Sequence, residues 1–145
     1  MIKEYDVIIN PDGENQIIDK TEEVSNKDYT QYAKADKGKL QITLVPTQII
    51  RDIAKIRMYG TEKYKMPYNW VVVDKERYKD ALLRHILAYL DDENSVDSES
   101  GLKHLWHAAC NIAFLCEMDR DDWDVQKELL IQKDSKLVEK LKNSK

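Results

Sequence analysis

All three histidines of this 145-residue chain, His85, His104 and His107, lie in stretches with helical periodicity. His104, His107 and Asn111 are spaced three and then four residues apart, so on a helix they form one polar stripe. Imidazole groups gathered on one helix face bind metal ions or transfer protons in catalysis. The spacing therefore predicts a ligand-binding or catalytic site along this stripe.

An acidic loop, DDENSVDSESG, joins the two helices on which the histidines are expected. Helices joined by a short connection pack as antiparallel neighbours, so His85 is expected close to His104 or His107, with Glu93, Asp97 and Glu99 above them. A divalent metal suits this mixture of imidazoles and carboxylates, and Mg²⁺ or Mn²⁺ favours the carboxylate oxygens. Each histidine taken alone has an alternative interpretation as a buried residue hydrogen-bonded to a carbonyl or carboxylate.

Cationic side chains near these helices are candidates for phosphate binding. Arg84 either holds a phosphate or forms an i,i+4 ion pair with Asp80, one turn away on the same helix. Lys39 and Lys63 either hold phosphate oxygens or remain solvated at the surface, which is the common state of an isolated lysine. These residue types predict an anion site only where the fold brings them to the histidines.

The stretch GTEKYKMPYNW combines aromatic, amide and lysine side chains and is interpreted as a binding loop. Tyr64 and Trp70 either pack in the core or contact a base, with Asn69 between them at an open pocket. The loop follows a helix expected over residues 47–59, for which Gly60 is the expected end.

Hydrophobic periodicity predicts a mainly α protein, a compact helical bundle with a small N-terminal β-hairpin. We divide the chain into an N-terminal hairpin and arm at 1–36, a helical core at 37–118 and C-terminal peripheral helices with a basic tail at 119–145. The expected elements are a hairpin at 5–19, a polar linker at 20–38, helices at 47–59, 76–90 and 101–118, and short helices within 125–142.

Composition argues against several classes of partner and location. A formal net charge of -4, with lysine and arginine scattered along the chain, gives no basic patch for duplex nucleic acid. No apolar run approaches the length of a membrane span, and the segment after Met1 has no apolar core typical of a signal peptide. Cys110 and Cys116 lie about 9 Å apart along one expected helix, which precludes an unstrained disulfide between them. These features predict a soluble, cytoplasmic protein.

Several short motifs follow one another in order between residues 37 and 117. They are Lys39, Leu44-Val45-Pro46, Gly60, Lys63-Tyr64, Asn69-Trp70, Leu83-Arg84-His85, Glu99-Ser100-Gly101, His104, His107 and Asn111. Their order and spacing resemble the phage-associated dATP/dGTP diphosphohydrolase family. The resemblance implies an α-helical fold and cleavage of a purine deoxynucleoside triphosphate to the monophosphate and pyrophosphate with a divalent metal ion.

Our leading hypothesis is a metal-dependent nucleotide pyrophosphohydrolase, in which each candidate residue has an expected role. Asp97, Glu99 and His104 would hold the Mg²⁺ or Mn²⁺ ion, which neutralises the triphosphate and activates a water. His85 or His107 would act as the catalytic base or as a further ligand. The expected substrate contacts are Lys39, Lys63, Tyr64, Asn69, Trp70, Arg84 and Asn111.

Two other hypotheses remain open. A site rich in cationic, aromatic and imidazole groups also suits a non-catalytic protein that binds and sequesters a phosphorylated or cyclic nucleotide signal. A structural helical module whose polar stripe packs between subunits is the third hypothesis. Under all of them we expect a homo-oligomer, because the short helices offer more apolar surface than 145 residues readily cover. For a phage-encoded protein, the expected location is the cytoplasm of the host.

Overall fold

The computed structural model describes residues 5–9, 15–19 and 32–144 of the chain. The chain divides into two compact units, Met1–Val45 and Pro46–Lys145. None of the described helices is both long enough and apolar enough to cross a lipid bilayer.

The first unit contains a pair of short strands. Strand β1 (Tyr5–Ile9) is antiparallel to strand β2 (Asn15–Asp19), with Val7 opposite Ile17. The turn of the expected hairpin, and most of the expected polar linker, lie outside the described residues. A 3₁₀ helix follows at Ile42–Leu44.

The second unit is helical, in agreement with the mainly α class expected from the sequence. The helices are α1 (Gln48–Tyr64), α2 (Lys75–Asp91), α3 (His104–Met118), α4 (Trp123–Gln132) and α5 (Ser135–Asn143), with a 3₁₀ helix at Asn69–Val72. The bounds of α2 agree with the prediction to within one residue at each end. Asp74 is the N-cap of α2, and its carboxylate accepts a hydrogen bond from the Glu76 backbone N–H at 2.8 Å.

Helix α1 is longer than the sequence predicted, because it continues through Gly60 to Tyr64. A single glycine inside a helix costs only about 1 kcal/mol relative to alanine, so it does not by itself end the helix. The helix ends at Lys65 instead, which has a left-handed backbone with φ of 57°. The first part of the expected binding loop is therefore the last turn of α1.

Helix α3 begins later than expected, at His104 rather than near Gly101. Gly101 has a positive φ of 70°, which suits a turn and is incompatible with the first turn of a helix. The preceding loop is closed by an isolated antiparallel bridge between Val96 and Lys103. This turn directs the acidic loop back over the start of α3.

The core of the second unit lies where the carboxyl end of α3 meets the 3₁₀ helix and the C-terminal helices. Trp70, Val71, Met118 and Leu137 are buried there. The C-terminal segment was expected to be peripheral, but Leu137 of α5 is only 2% exposed. The sequence prediction underestimated α5 because its short apolar stripe is completed by residues far away in the chain.

The outer face of α2 carries three leucines. Leu83, Leu87 and Leu90 are each more than half exposed. A helix that packs on one side buries a stripe of its surface, and the apolar stripe of α2 is wider than the part that is covered. Exposed leucines therefore form a row along the outer surface of this helix.

Candidate functional site

A cavity of about 780 Å³ opens within the second unit. Its walls are formed by α1, α2 and α3, together with the segment after α1 and part of α5. A volume of this size lies within the range that holds drug-sized ligands and nucleotides. The cavity is therefore the natural candidate for a ligand site in this unit.

The lining of the cavity is more cationic than the chain as a whole, which carries a formal net charge of -4. Five of the described side chains that line it are Lys or Arg, and three are Asp or Glu. An excess of cations in a concave, partly desolvated site favours an anionic ligand. The cationic residues are Arg57, Lys63, Arg77, Arg84 and Lys140.

Two histidines from neighbouring helices meet beside this cavity, and one of them, His85, lines it. The Nδ1 atom of His85 on α2 lies 3.0 Å from the Nδ1 atom of His104 at the start of α3. One carboxylate oxygen of Asp97 joins them, since the three ligand atoms all lie within 4.8 Å of one another. We call His85, Asp97 and His104 the His/Asp cluster. Two imidazoles and a carboxylate form a donor set that fits a divalent metal ion.

The backbone of the acidic loop fixes Asp97 in this cluster. The Ser100 backbone N–H donates to Asp97 Oδ2 at 2.8 Å, and the Gly101 N–H donates to the Asp97 carbonyl at 2.7 Å. The Asp97 N–H donates in turn to the Leu102 carbonyl at 2.8 Å. Although burial acts in the opposite direction, the hydrogen bonds from Ser100 lower the pKa of Asp97, which keeps this carboxylate ionised.

His107 lies beside the His/Asp cluster, one turn further along α3. Its ring stacks on that of His85, with centroids 4.5 Å apart and an angle of 8° between the planes. Its Nε2 atom lies 2.7 Å from the Ser100 hydroxyl oxygen. The expected convergence of His85, His104 and His107 is thus present in the structure, and Ser100 is a polar partner that the sequence analysis had included only as part of a motif.

Burial controls the charge of these imidazoles. It lowers the pKa of His85 to about 4, and the neighbouring His107 acts in the same direction. Burial also lowers the pKa of His107, against the opposing effect of Asp97. Both rings are therefore neutral near pH 7, the form in which an imidazole coordinates a metal or accepts a proton.

Glu99, which was expected as a metal ligand, makes a different contact. Its carboxylate accepts a hydrogen bond from the Lys63 ammonium in an ion pair that connects the acidic loop to the end of α1. The Lys63 hydrogen bond lowers the pKa of Glu99, and the same bond raises the pKa of Lys63. Both side chains line the cavity, as predicted for substrate and metal contacts, but in the structure they neutralise each other.

The aromatic candidates occupy two different environments. Trp70 is buried between Phe114, at 4.5 Å between ring centroids, and Trp123, at 5.8 Å, and both rings stack on it. Tyr64 is half exposed at the cavity, where the Lys63 ammonium lies 5.2 Å from its ring centroid. Of the two alternatives left open for these residues, packing describes Trp70, whereas the ring of Tyr64 is accessible to a ligand.

The remaining candidates are divided between the two units. Asn69, Arg84 and Asn111 line the cavity, and Asn111 is buried one turn beyond His107. Within the described residues no ion pair joins Arg84 to Asp80, although both line the cavity wall. Lys39 lies in a turn of the first unit, and its role as a phosphate contact remains a prediction.

Two lining arginines were missed by the sequence analysis. Arg57 on α1 donates a hydrogen bond to the Pro67 carbonyl, and its guanidinium lies 5.1 Å from the ring centroid of Phe114. Arg77 on α2 precedes Arg84 by two helical turns, so both belong to one face of that helix. That seven-residue spacing was visible in the sequence and was the signal that could have identified Arg77.

The sequence of this chain is similar to that of a phage protein and to one protein-family model. A dATP/dGTP diphosphohydrolase of Salmonella phage PMBT28 is 35% identical over 82 residues, which is 57% of this chain but only 28% of the phage protein. The chain thus spans little more than a quarter of that relative. No solved structure is significantly similar to this chain. The family model described as the N-terminal part of dATP/dGTP diphosphohydrolases matches residues 29–128. This match confirms the resemblance seen in the motifs, and the chain belongs to the dATP/dGTP diphosphohydrolase N-terminal family.

Proposed function

We propose that this chain is a metal-dependent nucleotide pyrophosphohydrolase that cleaves a purine deoxynucleoside triphosphate in the cavity. The observation that carries the proposal is that His85 and Asp97 of the His/Asp cluster line the same cavity as several cationic side chains, with His104 in contact with His85. A triphosphate with its divalent metal needs both features within a few ångströms of each other. The name of the phage relative, which refers to dATP and dGTP, supports a purine deoxynucleotide as the substrate.

The reaction requires attack by water on the α-phosphorus. A new bond forms between the water oxygen and that phosphorus, the bond to the bridging oxygen breaks, and pyrophosphate leaves with the electron pair. A divalent ion held by the His/Asp cluster would supply charge neutralisation and a more acidic water. Arg84 and Arg77 hold phosphate oxygens from α2, where their guanidinium groups match the geometry of a phosphate.

His107 is the best-placed catalytic base. Its imidazole is neutral near pH 7 because burial lowers its pKa, and its Nε2 atom contacts the Ser100 hydroxyl at 2.7 Å. The proton of the attacking water passes to this nitrogen through the hydroxyl group of Ser100. Tyr64, Asn69 and Asn111 line the cavity as contacts for base and sugar.

The test is chromatography of the purified protein with a panel of dNTPs and NTPs, separating mono- and diphosphate products, with Mg²⁺, with Mn²⁺ and with EDTA. We expect metal-dependent release of dAMP or dGMP together with pyrophosphate. His107→Gln should lower kcat by at least about 100-fold, the scale of general-base catalysis, while its helical circular dichroism is retained. Lys79→Gln serves as a control, because this exposed lysine lies on α2 outside the cavity lining and its loss should leave kcat unchanged.

A second candidate function is binding without hydrolysis, as in a protein that sequesters a phosphorylated or cyclic nucleotide. The observation that favours it is the Lys63–Glu99 ion pair, which leaves Asp97 as the main carboxylate available to a metal near the histidines. Intact nucleotides in every reaction, with tight binding in EDTA, would support this second function and contradict the first.

A further inference from the structure

We propose that the His/Asp cluster is selective for a first-row transition-metal ion, such as Mn²⁺, Co²⁺ or Zn²⁺, and discriminates against Mg²⁺. The inference rests on the proposed function for its purpose, since the ion would serve the nucleotide bound in the cavity. It goes further by assigning His85 as a ligand and by naming the class of metal.

The distance between the two imidazoles matches that of adjacent ligands on one ion. Two nitrogens at about 2.1 Å from a metal, in directions at right angles, lie about 3.0 Å from each other. The Nδ1 atoms of His85 and His104 are 3.0 Å apart in the structure. A movement of the Asp97 carboxylate would complete three ligands, because one of its oxygens, one ring nitrogen of His85 and one ring nitrogen of His104 all lie within 4.8 Å of one another.

The donor atoms determine the class of metal. Mg²⁺ prefers oxygen ligands in a nearly ideal octahedron and gives up its waters reluctantly, whereas imidazole suits transition metals. His85 and His104 supply two nitrogens, and Asp97 supplies the only carboxylate that the described residues bring into this cluster. Glu99, the other nearby carboxylate, is paired with Lys63. Two histidines and one carboxylate also leave coordination positions open for phosphate oxygens and water.

The surroundings of the cluster hold two of the three ligands in place. The ring of His107 stacks on His85 at 4.5 Å, and the Ser100 N–H donates to the Asp97 carboxylate. Such contacts fix the orientation of metal ligands and raise affinity. His107 itself is directed toward the Ser100 hydroxyl through Nε2, so we assign it a positioning role toward the metal rather than a ligand role.

The experiment measures metal binding in the absence of nucleotide. Protein freed of metal by chelation is titrated with Co²⁺, whose visible absorption reports nitrogen coordination, and calorimetry with Mn²⁺, Zn²⁺ and Mg²⁺ follows. We expect one Co²⁺ per chain, no displacement by millimolar Mg²⁺ and displacement by Zn²⁺. A Cys116→Ser variant with unchanged affinity would show that the exposed thiol is not the site.

Variants at the histidines separate ligands from neighbours. His85→Ala and His104→Ala should each lower Co²⁺ affinity by more than about 100-fold, beyond the 10–100-fold effect typical of groups outside the ligand set. His107→Phe keeps an aromatic ring against His85, and Glu99→Gln keeps the shape of that side chain, so both should retain affinity within about tenfold. Circular dichroism of each variant checks that the helices are intact, and Asp97→Asn provides a third ligand variant that preserves volume.

Either of two results would overturn the inference: displacement of Co²⁺ by Mg²⁺ at similar concentrations, or unchanged Co²⁺ affinity in both His85→Ala and His104→Ala. Its failure is distinguishable from failure of the proposed function. Tight Co²⁺ binding without nucleotide cleavage supports the metal site and contradicts the proposed hydrolase. Nucleotide cleavage with Mg²⁺ and no Co²⁺ binding supports the hydrolase and contradicts the transition-metal site.

Discussion

Helix α3 meets aromatic side chains at its carboxyl end and imidazoles at its amino end. At the carboxyl end, Phe114 stacks on Trp70 and also contacts the ring of Tyr78 at 5.0 Å between centroids. At the amino end, His104 contacts His85, and His107, which lines the cavity, contacts the Ser100 hydroxyl group. The same helix therefore joins a densely packed region to one in which several titratable groups are held together.

The two ends contribute to the protein in different ways. Stacked, buried aromatic rings remove large apolar areas from water and stabilise the fold. Clustered polar groups at a cavity contribute little to stability and are typical of sites where ligands bind. Substitutions at the aromatic end should therefore change the free energy of unfolding, and substitutions at the imidazole end should change ligand binding and pH dependence.

The largest effect on stability is expected for Trp70→Ala. Removal of this 8%-exposed indole leaves a cavity between Phe114 and Trp123, and should lower the free energy of unfolding by about 3–5 kcal/mol. Urea denaturation followed by far-UV circular dichroism measures the change. Trp70→Phe, which retains part of the stack, should lose less, and equal losses for the two variants would argue against aromatic packing as the source of stability.

A smaller effect is expected for Asp134→Ala, next to the aromatic end. The buried Asp134 carboxylate accepts hydrogen bonds from the backbone N–H of Leu137 at 3.1 Å and of Tyr68 at 3.2 Å, so it caps α5 and fixes the segment before the 3₁₀ helix. Its loss should lower the free energy of unfolding by about 1–3 kcal/mol, since two buried donors lose their partner.

Asp74→Ala is the matched control for this prediction. Asp74 caps only its own helix, through the single bond to Glu76, and is exposed. The loss at Asp74 should be smaller, about 1 kcal/mol, as is typical of an N-cap. If the two aspartates gave equal losses, the bond to Tyr68 would contribute nothing to the packed end.

A further effect is a pH dependence of stability that originates at the imidazole end. The folded-state pKa of His85, about 4, lies below the value of about 6.5 in an unfolded chain. Between these values the unfolded chain binds more protons than the folded protein, so the free energy of unfolding falls as the pH is lowered from about 6.5 toward 4. The lowered pKa of His107 changes the free energy of unfolding in the same direction. The pKa of Asp97 is also lowered in the folded protein, so the stability that this carboxylate contributes is lost only at lower pH.

The measurement is urea denaturation of the metal-free protein at pH 7 and pH 5. His85→Gln removes one of the titrating groups and should reduce the difference between the two pH values. Trp70→Phe should leave that difference unchanged while lowering stability at both. The division of α3 into two regions would be contradicted if Trp70→Phe changed the difference in stability between pH 7 and pH 5, or if His85→Gln left that difference unchanged.

Much of the helical unit was predictable because its signals are local. Hydrophobic periodicity predicted helix α2 to within one residue of its bounds, and the three-and-four spacing predicted the polar stripe of α3. The predicted end of α1 was wrong, because whether a helix continues through one glycine depends on packing that a local sequence pattern does not contain.

The kind of site was predictable from the sequence, but the contacts that several of its residues make were not. The convergence of His85 with His104 follows from a short connection between consecutive helices, and the structure shows it. The ion pair of Glu99 with Lys63 joins residues 36 positions apart, and the stack of Trp70 on Phe114 joins two helices that no periodicity relates. Contacts of this kind depend on how helices pack, which a single sequence does not specify.

The His/Asp cluster is also unusual in how little of the chain it requires. His85 and His104 are separated by 19 positions, and Asp97 lies between them. Contacts of low sequence separation form early in folding, because closing a short loop costs little chain entropy. The metal-competent donors thus need only the packing of α2 against α3, whereas Leu137 in the aromatic core also needs α5. In terms of contact order, the contacts within the His/Asp cluster have a short sequence separation and involve one helical pair, whereas the contacts of the aromatic core have a long sequence separation and involve most of the second unit.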